Sequence, residues 1–348
     1  MTKPEILDSI LQQAEHVAHN GAPGTAAICR ALVAVSAGGS ACGERIATWS
    51  GNVLADAMPL RLAGGLHDLF RRGIELDLGA VYRGELTDQP AVDALVCAIV
   101  ERHDARLLPW FGGPPQTNEA GRSANFVAAL HWLASRVVPR FEINEIGSSA
   151  GMNLLIDRYR YDLGGILSGP EDAPVTIRPD WRGSPPPADD YAIISIKGCD
   201  LTPIDVRDDA AADRLRAYTW PEASERFARL DAGIAMIHER GVDLVAADAA
   251  DWVEAQLAAP QTSGTTRVLM HSIVWQYLPD QTQGRINQAM AAAAGNATAE
   301  RPLAWIALET NRDTFEHELM IRHWPSDGAR SIIAKAHAHG AWVDWLGG

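Results

Sequence analysis

The stretch Phe141-Glu-Ile-Asn-Glu-Ile-Gly-Ser-Ser-Ala-Gly-Met-Asn153 limits the fold most, because an apolar run of strand length stops at small residues and leads straight into a helical pattern. A strand, a tight turn and a helix in that order need a sheet beside them and a covering layer above. Such a turn sets unpaired backbone N–H groups and the positive end of a helix dipole over the strand end, where a ligand can meet them. The same small residues also suit a turn that serves packing alone.

From about Arg140 the alternation repeats. Tyr191-Ala-Ile-Ile-Ser-Ile-Lys-Gly-Cys-Asp-Leu-Thr-Pro203 is a β-branched run ending in an Asp-containing turn. Gly241 to Ala247 is a short apolar strand, after which Asp248 opens a helix beginning at Ala249. Arg267 to Ile273 forms a fourth strand, followed by Trp275-Gln-Tyr-Leu-Pro279 and an amphipathic run from Asp280 to Ala293. Pro302 to Glu309, Glu318 to Trp324 and Ala341 to Trp345 supply a fifth, sixth and seventh strand. This order predicts an α/β protein with a mostly parallel, doubly wound sheet and ligands at the carboxyl ends of its strands.

Glu145-x-Gly147-x-Ser149-x-Gly151 resembles the acidic-x-Gly-x-Gly-x-Gly signature of class I S-adenosylmethionine-dependent methyltransferases, with Ser149 in place of the middle glycine. Gly198-Cys-Asp-Leu-Thr-Pro203 is similar to that family's second-strand segment, and the strand through His271 with Trp275 to Pro279 is similar to its fourth. The resemblance implies a Rossmann-like domain over 139–348 with an antiparallel edge, and S-adenosylmethionine as cofactor. It places Glu145, Gly147, Ser148, Ser149, Gly151 and Asn153 along the cofactor, Asp200 on the ribose with Leu201 beside it, and Asp248 and Ala249 at the adenine with Trp252 as a cover for the ring. It also puts His271 next to the reacting centre as cofactor contact and candidate base, and Trp275 and Tyr277 on the side of the acceptor. The residues by themselves allow plainer roles: an Asp-rich turn around Asp200, with Asp205 and Asp180 as rivals, an N-cap for Asp248, and a structurally satisfied histidine at 271.

Nearly end to end the chain resembles an uncharacterised bacterial domain-of-unknown-function family, on Gln116-Thr-Asn-Glu-Ala-Gly-Arg-Ser123, the Glu145 to Gly151 segment, Gly198 to Asp205 and Trp275 to Pro279. Gly147-Ser-Ser-Ala-Gly151 also resembles the G-x-S-x-G nucleophile elbow of α/β-hydrolases. That esterase-type alternative makes Ser149 the nucleophile, takes its acid from Glu309 or Asp248 and its base from His323 or His337, and has Phe111-Gly-Gly-Pro114 as oxyanion loop. It lacks the strands expected before the elbow. A third alternative is a methyltransferase fold that binds a nucleoside ligand without catalysis.

Residues 1–138 carry helical periodicity in Glu5 to Ala18, Thr25 to Ala37, Leu60 to Arg72 and Ala91 to Leu108, which predicts a helical subdomain or cap. Pro109-Trp-Phe-Gly-Gly-Pro-Pro115 interrupts it. Either Thr117 or Asn118 caps the helix from Ser123 to Arg136 with Glu119 to Arg122 facing solvent, or Thr117, Asn118, Glu119 and Arg122 belong to a lid over the cofactor cleft, able to bind a carboxylate or amine. An insertion at about 159–190, with arms Tyr159 to Gly165 and Ala173 to Gly183, reads as a β-hairpin.

Charge narrows the partners. Thirty Lys and Arg against 44 Asp and Glu give a formal net charge of -14, which opposes binding to a polyanion and favours a small-molecule acceptor over nucleic acid. Arg158, Arg160, Arg178 and Arg182 form the one local basic grouping, readily explained by surface ion pairs. With 47% hydrophobic residues the chain can bury a substantial core, yet no apolar run is long enough to span a bilayer. Met1 to Asp8 reads as a helix start, not a secretory leader, and Cys29, Cys42, Cys97 and Cys199 lack C-x-x-C spacing, so a cytoplasmic protein with buried free thiols is expected. His337 and His339 are spaced for a metal on a strand but have no fixed carboxylate partner, and no metal is expected. Oligomeric state is left open.

Overall fold

Helical periodicity up to Leu107 becomes six helices in the computed structural model, which describes residues 2–347. They are α1 (Pro4–His19), α2 (Pro23–Ala37), α3 (Ala41–Ala47), α4 (Met58–Arg71), α5 (Leu78–Tyr82) and α6 (Gln89–Leu107). Proline in the first turn starts α1, α2, α4 and α6, where its missing N–H has no partner to lose. Ser40 and Asp88 cap α3 and α6 by accepting from Gly43 N and Ala91 N. The apolar faces enclose Ile10, Ile28, Leu32, Leu62, Leu66, Leu69, Val96 and Ile99.

The segment up to Thr117 forms one compact unit together with residues 208–228. The late segment carries α8 (Asp209–Ala217) and the start of α9 (Ser224–Arg240). Glu222 fastens it to α2, its carboxylate accepting from Thr25 N at 2.7 Å and Thr25 Oγ1 at 2.8 Å. Local periodicity gives no sign of this return, because the partners lie almost 200 residues apart. No single helix among the described residues is long and apolar enough to cross a membrane; α2 and α3 pass that test only as a pair bent by 96°.

The second unit, residues 118–207 and 229 onward, is built on a nine-stranded mixed sheet. Its strands are β1 (Arg140–Ile146), β5 (Asp180–Arg182), β6 (Ala192–Asp200), β7 (Leu244–Ala246), β8 (Thr266–Ser272), β9 (Leu303–Thr310), β10 (His317–Trp324), β11 (Ser331–Ala336) and β12 (Trp342–Trp345); β2 (Arg160–Leu163), β3 (Ile166–Ser168) and β4 (Thr176–Ile177) form a small separate sheet. The order is β5-β12-β11-β10-β9-β8-β1-β6-β7. Neighbours from β7 through β6, β1 and β8 to β9 run parallel, whereas the β9–β10, β10–β11 and β11–β12 pairs are antiparallel. The remaining helices are α7 (Ser123–Ala134), α10 (Ala249–Ala258) and α11 (Asp280–Ala294). Ile146, Cys199, Leu269, Trp305 and Ala307 pack with α10 and α11 over one face, and α7, buried along its whole length, packs with β9 and β11.

Several sequence expectations change here. The antiparallel part is broader than two closing strands, because Ser331 to Ala336 adds β11, a short run with Ala and Lys whose strand propensity is weak. The insertion is not one hairpin of two long arms. Its hairpin is β2–β3, turned by Gly164 and Gly165, while the second arm divides between β4 on β2 and β5 on β12. The segment after Gly151 forms only a 3-10 turn, Met152–Leu155, before the chain leaves for β2. A helix dipole at this turn is therefore withdrawn.

Candidate functional site

In the parallel half the chain lays down β1, β6 and β7 in one direction and then returns to place β8 and β9 on the other side of β1. The carboxyl ends of β1 and β8 lie where strand order reverses, the usual ligand position in open α/β sheets.

The β1 turn carries three left-handed residues in alternation: Gly147 (φ 69°), Ser149 (φ 54°) and Gly151 (φ 86°). A side chain at Gly147 would collide with Val274, so the glycine also admits the segment after β8. Ser149 takes up a conformation that favours glycine, at a cost of about 1 kcal/mol. The turn is fastened to β6: Ser148 N donates to Cys199 O at 3.1 Å, Ile204 N to Ser149 O at 3.0 Å, and Ser149 N to Asp200 Oδ2 at 2.9 Å. Asp200 Oδ1 accepts from Thr202 N at 2.9 Å. Each carboxylate oxygen thus holds one backbone donor and retains a lone pair for another. After β8, Ile273 also has positive φ (50°), a rare state for a β-branched residue.

Glu145 is 1% exposed. Its Oε1 accepts from Asn153 Nδ2 at 2.8 Å, and among the described residues its Oε2 has no hydrogen-bond partner; Ser149 Oγ and Asn153 Oδ1 are likewise buried and unpartnered. Burial pushes the Glu145 carboxyl up to about 7, with Asp200 adding to the rise and Asn153, Ser148 and Arg122 opposing it. Burial and the charges of Asp200, Glu145 and Asp248 push the Cys199 thiol up to about 12, so it stays protonated.

Asp248 caps α10, Oδ1 accepting from Ala250 N and Asp251 N, and Ala249 is the first residue of that helix. Trp252 is 8% exposed and packs with Ala250 and Val253 in the core, which removes it as a cover for a ligand ring. Leu201 and Tyr277 are 77% and 72% exposed. The 117–122 residues are mostly internal ties: Asn118 Oδ1 accepts from Met152 N at 2.8 Å, Glu119 accepts from Gly121 N and pairs with Arg229, and Arg122 Nε donates to Ala338 O at 2.7 Å. Glu119 and Arg122 are buried, which corrects the expectation that they face solvent and leaves neither at an open lid; Thr117 falls in the helical unit.

His271 has no nitrogen left for a substrate. The Trp305 indole N–H, which can only donate, points at Nε2 from 2.9 Å, so the ring proton lies on Nδ1 and goes to Glu309 Oε1 at 2.6 Å. Trp275 stacks on the ring at 5.2 Å. The role of base is corrected to that of a buried strut. Sequence reasoning missed Trp305 and assigned Glu309 only to the hydrolase alternative, because their pairing with His271 is a tertiary contact between β8 and β9. The hydrolase set does not assemble in this geometry: Ser149 Oγ touches no base, Asp248 is a cap and Glu309 holds His271.

The sheet defines an α/β protein that gathers a strained turn, two aspartates and a buried carboxyl group at the carboxyl ends of its parallel strands. The chain belongs to the family described as an uncharacterized protein conserved in bacteria (DUF2332), matched over residues 8–345. No curated protein and no solved structure matches it.

Proposed function

We propose that this protein is an S-adenosylmethionine-dependent methyltransferase with a Rossmann-like class I domain, acting on a small-molecule acceptor. The observation that carries the reading is the turn at the end of β1, left-handed at 147, 149 and 151 and tied through Ser149 N to Asp200 at the end of β6. Strain in non-glycine residues at two strand ends, Ser149 after β1 and Ile273 after β8, adds to it, since such strain gathers at ligand sites.

The polar groups fit this cofactor. Asp200 retains acceptor capacity for two ribose hydroxyls, and Asp248 Oδ2 is uncommitted for an adenine amino group. Glu145 Oε2, Asn153 Oδ1 and Ser149 Oγ are buried atoms that lack partners. When bound, the cofactor supplies an electrophilic methyl group. The chain's part is to orient the reactants, and Glu145, whose carboxyl titrates near neutrality, is the group here suited to hold or release a proton. His271 stiffens the wall.

Calorimetry with S-adenosylmethionine, S-adenosylhomocysteine and a nicotinamide dinucleotide tests the assignment. Saturable binding of the first two and none of the third is expected. Asp200→Asn weakens that binding by about 1–3 kcal/mol, since an amide replaces a charged acceptor. Binding of only the dinucleotide, or of none of the three, overturns the reading.

A further inference from the structure

On the face that carries α11 no helix follows β9, because the chain turns through residues 311–316 directly into β10. The uncovered sheet beside α11 holds a cleft of about 730 Å³, within the range of small-ligand sites. Trp275, Trp305, Ala307 and Met320 give it apolar walls. The two indoles meet at 60° with centroids 5.6 Å apart, forming an aromatic corner. Both are held by His271, one by stacking and one through its N–H.

Two carboxylates on neighbouring strands border the corner, and their hydrogen bonding differs. Glu318 is satisfied on both oxygens, by Asn311 Nδ2 at 2.9 Å and Arg330 at 3.1 Å. Glu309 takes three donors on Oε1, from His271 Nδ1, Val274 N at 3.1 Å and Trp275 N at 3.2 Å, and none on Oε2 among the described residues. The arginines around the cleft are largely committed: Arg330 to Glu318, and Arg322 to Gly328 O at 2.8 Å and to the Trp324 ring. Arg312 is exposed at the rim, 3.5 Å from Gln276 O. Glu309 thus brings a carboxylate with an open oxygen beside the Trp275 indole, and Asp280 and Asp313 add acidic groups to the lining.

We propose that this cleft binds a small organic cation, its ammonium or methylated ammonium group against the half-buried indole of Trp275, which the buried Trp305 packs against, with Glu309 as counter-charge. Indole faces attract such cations through their quadrupole, most strongly where water is displaced. The chain's net charge of -14 raises the local concentration of cations. The cleft shares no residue with the β1 turn, and the assignment stands without methyl transfer.

The test is calorimetry or ligand-observed NMR on the full chain, with choline as probe and 3,3-dimethylbutan-1-ol, its neutral carbon analogue, as control. Choline is expected to bind saturably and roughly tenfold more tightly than the alcohol. Glu309→Gln keeps an oxygen for His271 and the two backbone donors but removes the charge, and lowers choline affinity roughly tenfold while leaving the alcohol unaffected. Trp275→Leu gives a second arm if Glu309→Gln fails to fold, and abolishes the preference for choline. Equal binding of the two probes, no saturable choline binding by the parent, or unchanged choline affinity in either folded variant overturns the proposal.

Discussion

Replacing Glu145 by glutamine should make this protein more stable at alkaline pH than at acid pH, relative to the parent. The carboxyl is raised from 4.5 to about 7 by burial, so the folded chain keeps a proton that the unfolded chain releases near pH 4.5. Between those values the folded state binds more protons than the unfolded state, and stability falls as pH rises through that window. At about 1.36 kcal/mol per tenfold change in proton affinity, the full penalty is about 3 kcal/mol. Roughly 2 kcal/mol of it develops between pH 5 and pH 8. Glutamine imitates the protonated acid, keeps an oxygen for Asn153 Nδ2 and carries no titration, so the penalty is absent from the variant. Urea unfolding of parent and Glu145→Gln at pH 5 and pH 8 measures the difference with all other titrations shared. A stability gap that stays constant over this range, or that widens in the parent's favour at pH 8, would refute a protonated buried carboxyl. A 13C-NMR titration of the Glu145 side chain checks the same point directly.

Ser149→Gly releases a left-handed serine and leaves its N–H to Asp200, so thermal unfolding should show a gain of about 0.5–1 kcal/mol. Affinity for S-adenosylmethionine should stay within about tenfold, and a fluorophosphonate probe should not label the parent at Ser149. His271→Ala strands the Trp305 N–H and opens a cavity, for an expected loss of about 3 kcal/mol in chemical denaturation; a stable variant that lost only catalysis would restore the histidine as base. Asp248→Ala should cost about 1 kcal/mol through the α10 cap, again by denaturation. Glu222→Ala, which removes both bonds to Thr25, should destabilise the helical unit by about 2 kcal/mol, seen as faster amide exchange at the start of α2.

The helices of the first unit, the parallel strands, the Asp248 cap and the tight turn around Ser149 are legible in the chain because each depends on residues a few positions apart: a period, a cap or a glycine pair. Beyond that range local signals stop discriminating. Whether the residues after Gly151 continue as a helix depends on Asn118 taking the Met152 N–H and on Asn153 turning inward to Glu145, neither of which periodicity records. The return of residues 208–228 to the helical unit, the attachment of β5 to β12 and the addition of β11 are likewise long-range pairings. His271 looks the same in sequence as a free base or as a buried strut; only the approach of β9, with Trp305 on one nitrogen and Glu309 on the other, decides. The sequence by itself determined which residues stand at the strand ends. Their protonation and free valences were decided by the tertiary structure, because burial and distant partners set the cost of a charge and the supply of donors and acceptors.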